Sequence, residues 1–176
     1  MKRDIKGSTK LLIFVMTISI MMLFGSPNVW AKKDGNLAIK LQGSWMLVSM
    51  YNEIDGKKID LFGINPRGSM ILTPNGRFSI IIMKANLPKF ASNNRLKGTN
   101  ADYQAVVQGS IAYFGSYKVV NEKENIVGLH IEGCTFPNWG GGDQTRVMSI
   151  IGDEMKFTGF ASTVGGVNHL VWKRVK

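Results

Sequence analysis

Gly68-Ser69-Met70-Ile71-Leu72-Thr73-Pro74-Asn75-Gly76-Arg77-Phe78-Ser79-Ile80-Ile81-Ile82-Met83 reads as a β-hairpin. Two apolar, β-branched runs of strand length flank Pro74-Asn75-Gly76, and Asn-Gly supplies the positive φ that a tight connection needs. The same pattern recurs on both sides. Upstream, Trp45 to Tyr51 is a strand that turns at Asp55-Gly56 and returns from Lys57 to Leu61, with Phe62 to Pro66 as a connecting loop. Downstream, Gly115 to Val120 pairs with Ile126 to Cys134, and Gln144 to Ile151 pairs with Met155 to Phe160 across Gly152-Asp153. A small-residue loop from Ala161 to Gly166 leads to a last strand, Asn168 to Val175. The longer of these runs number eight, and their mostly short connections predict an all-β fold, an antiparallel up-and-down barrel, because closure removes the exposed edges.

One helix interrupts the strands. Thr99 and Asp102 have capping-box spacing, and Tyr103, Val106, Val107, Ser110, Ile111 and Phe114 share one face at a spacing of three to four. Such a helix is expected to cover a sheet face or close a barrel end.

The first residues read differently. Lys2, Arg3, Lys6 and Lys10 precede an apolar run from Leu11 to Gly25, and Ser26-Pro27 breaks it before Val29-Trp30-Ala31. That is the layout of a signal peptide with a cut expected between Ala31 and Lys32. The run, roughly 15 residues, is shorter than the ~20 that span a bilayer. The expected organisation is therefore a leader over 1–31, a lead-in over 32–42 and a barrel domain over 43–176, in a protein that is periplasmic or secreted.

The whole chain has 22 basic and 12 acidic side chains, a net of +10; without the leader's four bases and one acid, 18 against 11 leaves +7. The remaining charges are scattered, as in Lys57-Lys58 and Lys173-Arg174-Lys176, which fits a solvated surface or weak attraction to anionic envelope surfaces rather than a nucleic-acid partner. The single cysteine, Cys134, forms no internal disulfide, so stability rests on the core.

The segment His130-Ile131-Glu132-Gly133-Cys134-Thr135-Phe136-Pro137-Asn138-Trp139-Gly140-Gly141-Gly142-Asp143-Gln144-Thr145-Arg146 gathers the densest chemistry. It joins two strands, so its polar groups belong at one end of the scaffold, where binding groups collect. Alternation puts Val127, Leu129 and Ile131 on one face and His130 and Glu132 on the other. Either the aliphatics point in and the pair faces water, or the pair faces the cavity mouth with Arg146. In the second case a histidine beside a carboxylate is suited to proton transfer near neutral pH. Trp139 either plugs the barrel end or stacks on a bound ring, with Asn138 hydrogen-bonding to it. On the preceding strand, Tyr113 and Tyr117 are expected to point inward because Lys118 belongs in water. His130, His169 and Cys134 are too few and too scattered for a metal site, and no motif implies a cofactor.

Gly43-Ser44-Trp45 resembles the Gly-x-Trp pattern of lipocalins and other calycins, and Arg174 resembles the arginine that stacks over that tryptophan. More of the chain is similar to the lipocalin-like domain family of bacteria and fungi. The matching pieces include Leu61-Phe62-Gly63-Ile64-Asn65-Pro66-Arg67-Gly68, Thr73-Pro74-Asn75-Gly76, Ile111-Ala112-Tyr113-Phe114-Gly115-Ser116-Tyr117, His130-Ile131-Glu132-Gly133, Phe136-Pro137-Asn138-Trp139 and Leu170-Val171-Trp172-Lys173-Arg174. Cys134, where a serine is more usual, and the triple glycine depart from it. The resemblance implies a calycin-type barrel and no single activity.

Three functions are expected from these features. The first is an exported, non-enzymatic binder of a small, largely apolar molecule, with Tyr113, Tyr117, His130, Glu132, Asn138, Trp139 and Arg146 as ligand contacts. It calls for a hollow of a few hundred Å³, and methionines in the expected strands (Met46, Met50, Met70, Met83, Met148 and Met155) suit an adaptable lining or an ordinary core. The second is an isomerase or cyclase acting on a polyketide- or lipid-like substrate, with His130 and Glu132 as acid and base. The third is an envelope-interaction module that uses the basic surface.

Overall fold

In the computed structural model, which describes residues 36–160 and 162–176, nine strands form one antiparallel sheet. The leader and its cleavage point lie outside the described residues, as does Ala161. The strands are β1 (Gly43–Ile54), β2 (Lys57–Ile59), β3 (Arg67–Leu72), β4 (Arg77–Met83), β5 (Ser110–Asn121), β6 (Ile126–Cys134), β7 (Asp143–Ile151), β8 (Glu154–Gly159) and β9 (Val167–Arg174). From β3 onward each strand pairs with its successor, β3 pairs with β1, and β9 pairs back on β1. The result is a closed eight-stranded barrel. The ninth strand, β2, lies outside the ring and pairs only with residues 52–54 of β1 through the Asp55-Gly56 turn, where both residues take positive φ.

Alternation along the strands decides what fills the ring. Met70 and Leu72 of β3, Phe78, Ile80 and Ile82 of β4, Val127, Leu129 and Ile131 of β6, Met155 and Phe157 of β8, and Leu170 and Trp172 of β9 all point inward and are buried. On β1 the two-residue period breaks at Val48: Leu47 opposes Trp172, and Ser49, not Val48, opposes Val171. This bulge carries the inward face from Trp45 and Leu47 to Met50 and Asn52. A single extra residue turns the remainder of a strand to the other face.

The predicted helix is shorter than its pattern. α2 (Asn100–Gly109) begins at a complete capping box, with Thr99 Oγ1 accepting from the Asp102 amide and Asp102 accepting from the Thr99 amide. It ends before Ser110, and Ile111 and Phe114, expected on its face, belong to β5. Ile111-Ala112-Tyr113-Phe114 satisfies both periods. Pairing with β4, Ile82 opposite Ile111 and Ile80 opposite Tyr113, buries Ile111 and Tyr113 in the ring and so selects the strand. Val107 is left in solvent, so α2 covers no apolar sheet face through it.

A second helix, α1 (Asn36–Leu41), lies in the lead-in. Six residues do not hold a helix in water by themselves. This one survives by closing one end of the barrel: Leu37 and Leu41 are buried in the core, and the Leu37 amide donates to Glu122 in the β5–β6 turn. Its last carbonyls, which a helix end leaves without partners, are taken up by the first and last strands. Trp45 Nε1 donates to Leu41 O at 2.9 Å, and Arg174 donates to Gln42 O at 2.6 Å and Lys40 O at 2.5 Å. The same guanidinium lies 4.1 Å above the centre of the Trp45 ring. Gly43, at φ +121°, makes this possible, since a Cβ there would stand 2.9 Å from Arg174 Nη1.

Candidate functional site

The other end of the barrel is roofed by loops. β6 runs beyond its pairing with β7, and residues 135–142 fold back over the ring through a 3-10 turn, Pro137–Trp139. The Ile131 amide donates to Gly142 O and the Gly141 amide to Ile131 O, so the turn is hinged on β6. Trp139 is half-buried, edge-on to Tyr113 with ring centres 5.5 Å apart, and Phe136 packs against it in the same way. Beneath the roof is a cavity of about 30 Å³ whose wall includes Met50, Phe62, Ile111, Tyr113, Trp139 and Phe157, with Asn168 and Ser162 as polar members. Asn52, fully buried beside it, donates to Ser162 Oγ at 2.6 Å. This cavity is far smaller than the hollow of a few hundred Å³ that the apolar-binder reading called for. Inward side chains of β1, β4, β8 and β9, including Trp45, Trp172 and Phe157, fill the ring, and Trp139 takes up the space at its mouth.

Arg146 on β7 sits just inside this mouth. It is 1% exposed, and its Nη1 donates to Thr145 O at 2.8 Å while Nη2 donates to the Gln144 side chain. Its Cζ lies 5.6 Å from the centre of the Phe157 ring. Gly159, directly across on β8, makes the room: a Cβ there would meet Arg146 Nε at 2.8 Å and Cδ at 2.9 Å. Burial pushes the guanidinium below its usual range, and the neighbouring Tyr113 phenol opposes that shift. Burial pushes the Tyr113 phenol up; the charge of Arg146 and its hydrogen bond hold the rise back. At neutral pH the phenol keeps its proton.

The sequence-derived contacts therefore separate into groups. Tyr113, Trp139 and Arg146 converge under the roof. Tyr117 also lies on the inner side, but its hydroxyl donates to Thr73 O at 2.9 Å, in the β3–β4 turn at the α1 end. Asn138 is exposed on the turn.

His130 and Glu132 are a correction to the acid–base reading, because both face outward. His130 Nδ1 lies 2.8 Å from Asp143 Oδ1, and Glu132 is clasped by both terminal nitrogens of Arg77. That clasp, chiefly the Arg77 hydrogen bond, holds the Glu132 carboxyl below the usual range. The core takes Val127, Leu129 and Ile131 instead, and strand alternation then leaves no inward place for the polar pair. His130 and Asp143 border a solvent-facing trough of about 420 Å³ on the outer wall, where Gly128 leaves a gap between Lys118, Val120 and Thr145. Cys134 accepts from the Phe136 amide at 3.3 Å, and burial pushes its thiol up, away from the reactive thiolate.

Three residues that position the mouth had no distinct sequence signal: Asn52, whose inward face depends on the β1 bulge; Asn168, opposite it; and Gly159, which reads as an ordinary strand end.

A family model described as a lipocalin-like domain matches residues 42–175. The chain belongs to the lipocalin-like domain family. The match begins one residue after α1, so it covers the barrel, the Trp45–Arg174 closure and the roofed mouth in full. No curated protein matches the chain.

Proposed function

We propose that this lipocalin-like protein is an exported binder of a small, largely apolar molecule, taken up at the roofed mouth of the barrel. The observation that carries the reading is the contrast between wall and roof. The ring is sealed by strand pairing on every side, but the mouth is roofed by loops, among them Trp139 on a 3-10 turn followed by Gly140-Gly141-Gly142, with Phe62 and Ser162 from two others. Lifting that one indole joins the 30 Å³ cavity to the space that Trp139 vacates. The lining of methionine, phenylalanine, isoleucine and leucine suits an apolar ligand, and a few fixed polar groups orient it. Export rests on the basic head, apolar run and Val29-Trp30-Ala31 of the leader, and is tested by sequencing the N-terminus of the protein recovered from its host: a start at Lys32 is the expected result.

Native mass spectrometry of the gently purified protein should show a small molecule bound one per chain. Titration with an uncharged dye that brightens in apolar surroundings should quench the Trp139 emission, identified by its loss in Trp139→Phe. A protein that carries nothing and leaves the dye dark would be a filled structural module, and the proposal would fall.

A further inference from the structure

Residues 84–99 join β4 to α2 at the mouth end and are the longest connection among the described residues. Loops of this length in a compact domain are usually either functional or disordered, and this one is built. Phe90 lies edge-on to Tyr103 of α2 with ring centres 5.6 Å apart, and the Gly98 amide donates to the Tyr103 hydroxyl at 2.9 Å. The Asn93 amide donates to Phe90 O at 3.0 Å, and the Leu96 amide to Asn94 Oδ1 at 2.9 Å. Gly98 allows the close approach, since a Cβ there would stand 2.6 Å from the Phe90 ring. None of this packing belongs to the barrel core, which takes no side chain from residues 84–99. α2 therefore holds the loop in shape where it covers no sheet face. The loop carries Lys84, Lys89, Arg95 and Lys97 and no acid, and none of the four forms an ion pair among the described residues. Lys89 and Arg95, with Phe90, Asn93 and Asn94, line a shallow open basin. Between the two cations Arg95 and Lys97 stands Leu96, 83% exposed.

We propose that the mouth end of the barrel docks on an anionic lipid bilayer, with Lys89 and Arg95 taking lipid phosphates into the basin and Leu96 entering the headgroup boundary. Two further loops of the same end offer apolar tips, Ile64 before β3 and Val164 before β9, and residues 162–166 carry no charge. Apolar tips among basic side chains are what an interfacial contact requires: the charges draw the protein to the surface, and the tips hold it there. The opposite end is unlike it. Ile39 and Ile151 are exposed at that end too, but Glu122, Glu124, Asp153 and Glu154 occupy its turns. An anionic surface attracts one end and repels acids at the other, so the charge pattern sets the orientation as well as the attraction. This goes beyond the reading of the mouth as a binding site and does not depend on it. If both hold, an apolar molecule passes between bilayer and barrel without crossing water.

The test is co-sedimentation of the full chain with vesicles of phosphatidylcholine alone or with about a third phosphatidylglycerol, the charge density of an anionic leaflet. The protein should bind the anionic vesicles and leave the neutral ones, and about 0.5 M salt should release it. Each basic side chain at such a surface contributes about fivefold in affinity, so Lys89→Gln with Arg95→Gln should weaken binding about twentyfold. Leu96→Ser should weaken it several-fold and leave the salt dependence in place. Lys123→Gln, in the turn at the α1 end, should change binding less than twofold. Residues 1–31 are the same in every variant, so differences between variants report the mouth end alone. All these positions are exposed, and folding is checked by circular dichroism. Equal binding to both kinds of vesicle, or a loss with Lys123→Gln as large as that with the double variant, would overturn the proposal. A protein that stays in solution with both kinds, whether as a monomer or as a salt-sensitive dimer, would overturn it too. Inorganic phosphate bound through Lys89 and Arg95 without vesicle binding would make the basin a site for a soluble anion and end the docking. None of these outcomes touches ligand uptake, which the dye titration and native mass spectrometry read without vesicles.

Discussion

At the α1 end of the barrel, a helix, an indole and a guanidinium are held together by three hydrogen bonds and a cation–ring contact, and Trp45 is completely buried. At the opposite end, another tryptophan does the closing, but Trp139 rides on a short turn whose hydrogen bonds are to its own loop and to Ile131. The difference teaches how one ring can be rigid and accessible together. Where polar groups of separate elements satisfy one another, moving any of them leaves several unpaired. Where an aromatic is held by ring contacts and local backbone bonds, it can swing while the barrel stays intact. The two arginines differ as well. Both have a carbonyl partner and an aromatic face, but Arg174 is only half-buried, whereas Arg146 is enclosed and keeps an unpartnered Nε behind the mouth.

The sharpest way to break this contrast is to truncate each tryptophan. Trp45→Ala should cost about 3–5 kcal/mol of stability, the range for deleting a fully buried aromatic, read from urea unfolding monitored by circular dichroism. Next, Arg174→Ala should cost about 2 kcal/mol, since it removes both hydrogen bonds to the Lys40 and Gln42 carbonyls and the contact with Trp45. Trp139→Ala should cost roughly 1 kcal/mol, because the ring is only half-buried and, among the described residues, donates no hydrogen bond to another element as Trp45 does. It should also strengthen binding of an uncharged apolar dye by enlarging the mouth. If Trp139→Ala proved as destabilising as Trp45→Ala, the two ends would be equivalent and the mouth would not be a gate.

The smallest effect is expected on the wall between the ends. Arg77 lowers the pKa of Glu132 in the folded state, so their clasp contributes above the ordinary glutamate range and is lost as pH falls through the depressed value. Melting temperature should therefore fall more on acidification for the unaltered protein than for Glu132→Gln. The pair is exposed, so the difference should be small and should shrink further in salt.

The architecture was legible because its signals are local. Asn75-Gly76 and Asp55-Gly56 mark turns by their backbone preferences, and the inward faces of β3, β4, β6 and β9 come from a period of two. The helix boundary was not legible, because Ile111-Ala112-Tyr113-Phe114 fits either period and only its partners on β4 decide. α1 was missed for a related reason: six residues carry too little periodicity to stand out, and what makes them helical is the barrel end that they cover. At the site, the chain order brought Trp139 and Arg146 into one segment, but it left open whether His130 and Glu132 join them.

By itself, the sequence implied a closed ring of strands through its turn residues and alternation, and its resemblance to the lipocalin pattern put Gly43, Trp45 and Arg174 at the seam. Only the tertiary structure decided that His130 and Glu132 face water, that Tyr117 serves the α1 end and Tyr113 the mouth, and that Arg146 is enclosed with no carboxylate partner among the described residues. Those outcomes depend on which face of each strand the packed core claims and on what stands across the barrel, and neither is written along the chain.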